Sequence, residues 1–302
     1  MPDPLTLSVV IPHLNDPAAL ACCLAALADG TRQADEIIVV DNGSAQLPEA
    51  VCAAYPAVRL LVERTPGPGP ARNAGAAASS GDVLAFTDAD CLPASGWLAA
   101  VEQAFANPEL CIAGGDVRVA VANPARLGMT EAYESVFGYQ VERYIRDMGF
   151  TITCNLAMRS AALTAVGPFG GLAVAEDRDW GQRATAMGYR ILYLPEMTVF
   201  HPARRDFSQL ARKWDRHIGH DFAQALDRPG GRLRFLAKTL VMAPSALADL
   251  PHVLTSNRIK GLPNRAAAFA GLARIRAYRA RKMAWLLAGG DPVRLVGSWN
   301  RR

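Results

Sequence analysis

The sequence predicts an α/β fold with a Rossmann-like, mainly parallel sheet flanked by helices, and three observations support this. Short apolar runs rich in Val, Ile and Leu recur at residues 7–11 (LSVVI), 36–40 (EIIVV), 58–62 (VRLLV) and 83–86 (VLAF). Such runs read as strands buried on both faces. Helical patterns separate them, at 18–27, 47–55 and 71–78. Strand and helix alternating in this way imply right-handed crossovers and parallel strands.

Beyond residue 96 the pattern turns mixed. A helix is expected to about residue 107, strands at 115–121 and 151–158, and helices near 130–144 and 178–187. Strands at 191–194 and 198–201 and a helix at 207–226 follow. Pro229-Gly230-Gly231 marks a break. The expected organisation is a domain over 1–227, with halves 1–95 and 96–227, followed by a basic, mainly helical extension over 228–302.

Composition narrows the function. The chain has 302 residues, 51% hydrophobic and 20% charged, which excludes wholesale disorder. Its six cysteines form neither a zinc-type CxxC pair nor a dense disulfide framework, which fits a reduced cytoplasm. The start, MPDPLTLSVVIP, carries the acidic Asp3 and no basic n-region, so no signal peptide is expected.

The net charge of +4 is unevenly distributed: from Arg228 onward 15 Lys and Arg face only Asp249 and Asp291, leaving −9 for residues 1–227. An acidic body argues against a specific nucleic-acid ligand. The basic extension suits anionic lipid or RNA, for instance the inner face of the cytoplasmic membrane. No spanning helix is expected, because the longest uncharged stretch of 235–254 is the ten residues 239–248. On a helical wheel, 266–287 scatters its arginines with no clean apolar face. A solvated basic helix pair packed on the body is therefore as good a reading as membrane attachment.

Ligands of parallel sheets bind beyond the carboxyl ends of the strands. Those ends carry PHLND (12–16), DNGS (41–44), ERTPGPGPARNAG (63–75) and TDADC (87–91). Asp88 and Asp90 share one side if the backbone stays extended, and carboxylates that close need a compensating cation. Oxygen ligands suit Mg²⁺ or Mn²⁺, which would in turn hold a diphosphate. A plain turn is the alternative.

Taken in order, SVVIPHLND, IIVVDNGS, GPGPARNAG, FTDADC and AEDRDWGQR resemble the successive motifs of family 2 glycosyltransferases with the GT-A fold, over roughly residues 7–225. The resemblance implies a nucleotide base held by Asp41 on one wall and by Pro12, His13 and Asn15 on the other. Arg72 and Asn73, in the first turn of a helix, suit an anionic or polar ligand. The resemblance makes Asp177 the catalytic base, with Glu176 orienting the base or the acceptor. It adds His201 to Asp88 and Asp90 as a metal ligand, and places Asn155 and Trp180 on the acceptor side. Asn155 equally suits a buried backbone partner.

QLARKW at 209–214 nearly reproduces the QxxRW motif of processive synthases, but its tryptophan lies one position late, about 100° around a helix. With no spanning helix either, a non-processive enzyme is expected. The reading is an inverting transferase moving a single sugar from a nucleoside-diphosphate-sugar donor to a saccharide or lipid-linked hydroxyl acceptor. Two rivals remain: a phosphohydrolase using Asp88 as nucleophile, and a non-catalytic sugar-nucleotide scaffold.

Overall fold

In the computed structural model, which describes residues 5–172 and 174–296, the four apolar runs are strands. They are β1 (Leu7–His13), β2 (Glu36–Asp41), β3 (Val58–Val62) and β4 (Val83–Thr87), joined by α1 (Pro17–Ala28), α2 (Glu49–Ala53) and α3 (Pro68–Ala78). Asp3 and the terminal Arg301 and Arg302 lie outside the described residues. Next come β5 (Leu92–Pro93), α4 (Trp97–Phe105), β6 (Ile112–Ala120), α5 (Met129–Phe137), α6 (Val141–Met148) and β7 (Asn155–Arg159). Then follow α7 (Ser160–Val166), α8 (Glu176–Ala186) and β8 (Ile191–Pro202).

The strand order is β3-β2-β1-β4-β7-β6-β8-β5. β1 pairs in parallel with β2 and β4, and β2 with β3, whereas β4–β7, β6–β7 and β5–β8 are antiparallel. The chain leaves β1 on one side and returns on the other at β4. The crevice at their carboxyl ends is thus the topological switch point where ligands of such sheets bind.

Four expectations change. β3 is a half-exposed edge strand rather than one buried on both faces, with Arg59 and Val62 open to solvent. The helix expected near 130–144 is two helices, α5 and α6, because the chain breaks at 138–140. The strands expected at 191–194 and 198–201 are one, β8, running through Pro195. β7 begins only at Asn155, after a turn over 153–154.

Asn155 does not face an acceptor. It is 0% exposed; its amide donates to the carbonyls of Asp116 (2.7 Å) and Met197 (2.8 Å), and its oxygen accepts from Trp97 Nε1 (2.8 Å). It staples β6, β7, β8 and α4 together, so the backbone-partner reading is the correct one. The main core packs Val10, Leu84, Phe86, Leu156 and Met158 from the sheet against Phe169, Trp180 and Ala184.

The chain forms two compact units. The first runs through Arg118 and includes Gln140–Pro202; the second comprises Val119–Tyr139 and the chain from Ala203 onward. The second is helical and comprises α5, α9 (Phe207–Leu226), α10 (Gly231–Met242), a 3₁₀ turn (Pro244–Asp249), α11 (Leu250–Thr255), α12 (Leu262–Leu287) and α13 (Val293–Val296). α12 touches α5, α9 and α10. Being packed on several sides explains why it has no single apolar face. Its arginines are largely internal partners: Arg274 lies 4.0 Å over the Phe207 ring and Arg279 3.7 Å over Trp214, and Arg276 pairs with Asp249. No helix among the described residues is long and apolar enough to cross a membrane.

Substituting Asn155→Ala strands two buried carbonyls and an indole N–H, at about 1–3 kcal/mol each before relaxation. The expected outcome is a loss of roughly 3 kcal/mol in urea unfolding. Asn155→Asp is expected to be no better, because a carboxylate cannot donate to the Asp116 and Met197 carbonyls.

Candidate active site

The β1–β2 register sets His13 directly beside Asp41. His13 Nε2 accepts the Asp16 N–H (3.3 Å), so the ring proton sits on Nδ1 and points at Asp41 Oδ2, 2.9 Å away. Asp41 Oδ1 accepts from the backbone N–H groups of Gly43 (3.1 Å) and Ser44 (2.9 Å). Burial pushes the Asp41 pKa up, but the bonds from Ser44, His13 and Gly43 outweigh it and hold the carboxyl below its usual range. Asn15 adopts φ 54°, a left-handed conformation that asparagine tolerates, and its Oδ1 accepts from Ala45 N (2.9 Å). Pro12, His13, Asn15 and Asp41 thus gather at one sheet edge. Asp41 is fully buried, with both oxygens already engaged.

Asn42, one residue on, ties the next loop down. Its amide donates to the carbonyls of Glu63 (2.9 Å) and Thr65 (2.8 Å), and its oxygen accepts from Gly67 N (2.7 Å). Gly67 caps α3 at φ 126°, which a side chain would resist. At Gly69 a Cβ would lie 1.9 Å from the Gly170 carbonyl oxygen, so two backbones meet there with no room between them. Asn73 is spent on the same seam, exchanging hydrogen bonds of 2.9 Å with both the N–H and the carbonyl of Phe169.

Arg72 is therefore driven inward. Its side chain is 3% exposed; Nη2 donates to Asp88 Oδ1 at 2.5 Å and Nη1 to Glu176 Oε1 at 3.1 Å. Burial works against its charge, but Asp88 and Glu176 more than compensate and raise the guanidinium pKa. The anions that this helix start attracts include two of the protein's own carboxylates.

The backbone turns after Asp88 instead of staying extended, with the Cys91 N–H bonded to the Asp88 carbonyl at 3.0 Å, and the two carboxylates take different partners. Asp88 goes to Arg72, whereas Asp90 Oδ2 lies 3.7 Å from His201 Nε2. The antiparallel pairing of Leu92 with Phe200 brings His201 to this loop. His201 Nδ1 donates to the Pro202 carbonyl (2.8 Å), which leaves the Nε2 lone pair toward Asp90. Among the described residues, Asp90, Cys91 and His201 place one ligand atom each within 4.8 Å of one another; Asp88 is not in this group.

A carboxylate and an imidazole at this separation can both reach one cation at about 2.1 Å, and the pair suits Mn²⁺ or Mg²⁺. Burial, with the charges of Asp88 and Asp16, raises the Asp90 pKa against the opposing pull of His201. The buried Cys91 thiol lies 3.9 Å from Asp90 Oδ1, and the neighbouring Cys154 thiol together with burial holds its pKa well above the usual value.

Glu176, Asp177 and Asp179 occupy the first turn of α8, where the helix dipole favours acids. Asp179 is tied to Arg183 (3.0 Å), and Glu176 to Arg72. Burial and the neighbouring Glu176 charge raise the Asp177 pKa above the usual carboxylate value. Trp180 is a core residue, not an acceptor platform: it is 1% exposed, its N–H donates to the Gly167 carbonyl (2.9 Å), and its ring packs on Phe169.

Residues 8–167 match the pattern of Glycosyl transferase family 2. The chain belongs to this family. It is 32% identical over 260 residues to Glycosyltransferase AglE of Haloferax volcanii, covering 83% of this chain and 84% of that one. It is 30% identical over 224 residues to the pre-mycofactocin glycosyltransferase of Mycobacterium tuberculosis, covering 68% of this chain and 45% of that one. The fold is similar to that of the mannosyltransferase PcManGT from Pyrobaculum calidifontis, solved with GDP-Man and Mn²⁺ (TM-score 0.59, 20% identity, 96% of this chain and 89% of that one).

This family 2 member is a glycosyltransferase, an enzyme that takes sugar from a nucleotide-sugar donor, which removes the phosphohydrolase and scaffold rivals. Sequence reasoning missed Asn42 as the loop anchor and Cys91 with Cys154 beside Asp90. Cys91 directly follows Asp90, so its place was readable. Its contact with Cys154 depends on tertiary packing.

Arg72→Met leaves two carboxylates facing a buried apolar chain. Removing one partner of a buried ion pair costs about 3–5 kcal/mol, so a loss of that size in denaturant unfolding is expected, with partial recovery in Arg72→Lys.

Proposed function

We propose that this glycosyltransferase is inverting and non-processive, moving one sugar from a nucleoside-diphosphate-sugar to a hydroxyl of a saccharide or lipid-linked acceptor. The observation that carries this reading is the double grip of Arg72, which joins Asp88 of the donor-side loop to Glu176 of the acid pair.

Asp177 takes the acceptor hydroxyl proton while its neighbour Glu176, held by Arg72, keeps that helix start oriented. The acceptor oxygen bonds to the anomeric carbon as the bond from that carbon to the diphosphate oxygen breaks. A single displacement of this kind inverts the configuration. Pro12, His13 and Asn15 form the base pocket, with Asp41 fixing the His13 ring and the Gly43–Ser44 turn. Arg72 and Asn73 secure the donor loop.

Asp90 and His201 would hold Mn²⁺ or Mg²⁺, with the second carboxylate oxygen of Asp88 serving the donor or the same ion. When bound, the cation neutralises charge on the departing diphosphate. The GDP-Man and Mn²⁺ of PcManGT support a nucleoside-diphosphate donor and a divalent ion here. Residues 1–227 are proposed as the functional domain and 228–302 as an extension meeting an anionic membrane surface from the cytoplasmic side, with a role in polysaccharide or glycolipid assembly. The six cysteines, all free, support a reducing compartment.

Nucleoside diphosphates with Mn²⁺ are expected to stabilise the fold by about 2.7 kcal/mol at a hundredfold excess over Kd, seen as a higher melting temperature, and chelation is expected to remove most of that gain. Asp177→Asn is expected to lower kcat by about 100-fold or more while nucleotide binding persists. Nucleotide binding unaffected by chelator, or full turnover in this variant, overturns the reading.

Because the Asp177 pKa is raised, the base is protonated and activity lost as pH falls through a value above the ordinary 3.8. Glu176→Gln, which removes a raising charge, shifts that acid limb to lower pH in a kcat/KM profile. The stability linkage runs the other way: the contribution of protonated Asp177 is complete below the unfolded-state value and is lost as pH rises through the folded-state one.

A further inference from the structure

α10 has two apolar faces. Gly231, Phe235, Thr239 and Met242 are buried, one per turn, within the helical unit. On the opposite side stand Leu233, Leu236, Leu240 and Val241, exposed by 72, 42, 69 and 58%. At about 100° per residue these four, with Ala237 between them, span an arc of roughly 140°. Arg232 borders the arc on one edge and Arg234 and Lys238 on the other. A helix side turned to water is ordinarily polar. This one has an apolar centre and cationic margins.

The margins contain no acidic residue of α10 itself; Lys238 lies 2.6 Å from Asp221 of α9, and Arg232 donates to the Leu287 carbonyl at 3.3 Å. We propose that α10 docks on an anionic bilayer, its four exposed aliphatic side chains entering the acyl boundary and Arg232, Arg234 and Lys238 staying at the phosphate level. Long cationic side chains can keep their stems on apolar surface and their charge in the headgroups. Each adds attraction to an anionic leaflet.

Charge complementarity selects this occupant over a second copy of the chain. Pairing the same face of two copies would bring two sets of cations together, whereas a lipid surface supplies the opposite charge. The inference deepens, and rests on, the reading of the extension as membrane-facing. It replaces general electrostatics with a specific helix face.

The test uses the full chain in co-sedimentation with vesicles of phosphatidylcholine, with and without about 30% phosphatidylglycerol. Wild type is expected to partition at least about tenfold better onto the anionic vesicles, and the pair Leu233→Ser and Leu240→Ser to lose at least about tenfold of that binding. These side chains point outward, so the far-UV melt and the thermal shift with nucleotide should stay unchanged, which separates lost docking from lost folding. Equal binding of wild type and the pair overturns the α10 assignment while leaving electrostatic attachment standing. No binding by wild type overturns both. A wild-type dimer in size-exclusion chromatography that the pair converts to monomer assigns the face to a second copy and overturns the proposal.

Discussion

The first unit depends on one buried cation. Arg72 is almost fully covered, and a guanidinium in that position is tolerable only if carboxylates sit against it. Asp88 and Glu176 do so, and each in turn would be costly to hold near other acids without Arg72. Three separate segments are thereby fixed by one group: the start of α3, the loop after β4 and the start of α8. The glycines of the α3 loop make this possible. Gly75 also lets the helix lie against Val10 and Val40, closer than a side chain would allow.

The remaining groups divide between holding shape and facing the crevice. Asp41, Asn42, Asn73 and Asn155 look reactive in a sequence, yet each spends its polar atoms on neighbouring protein groups. Asp90, His201 and Asp177 differ. Their donor atoms lie at the loop and helix ends, and burial and neighbouring charge raise both Asp90 and Asp177. Perturbed carboxylates that cluster at the carboxyl ends of the strands are the arrangement expected of a functional site.

Legibility followed the range of the interactions involved. β1 to β4 and α9 could be read because apolar runs and 3.6-residue periodicity are local properties of the chain. The edge position of β3 could not, since its run is as apolar as that of a central strand and only pairing order exposes it. DxD predicted a cation at the end of β4 from charge alone, but not that Asp88 turns toward Arg72, because that turn is set by a contact from α3. Asn155 and Trp180 were assigned to the acceptor side by resemblance. Their burial comes from packing among β6, β7, β8 and α8, which no local pattern encodes. In the helical unit, the arginines of α12 read as surface charge, whereas several rest on Phe207, Trp214 and Asp249.

The bare contact of Gly69 with Gly170 has a consequence for engineering. Two loops that meet main chain to main chain, with Asn73 laced to Phe169 alongside, behave as one exchangeable block. A chimaera that borrows residues 67–73 from a relative must borrow 169–171 as well. Otherwise the graft imports half of an interlocking joint.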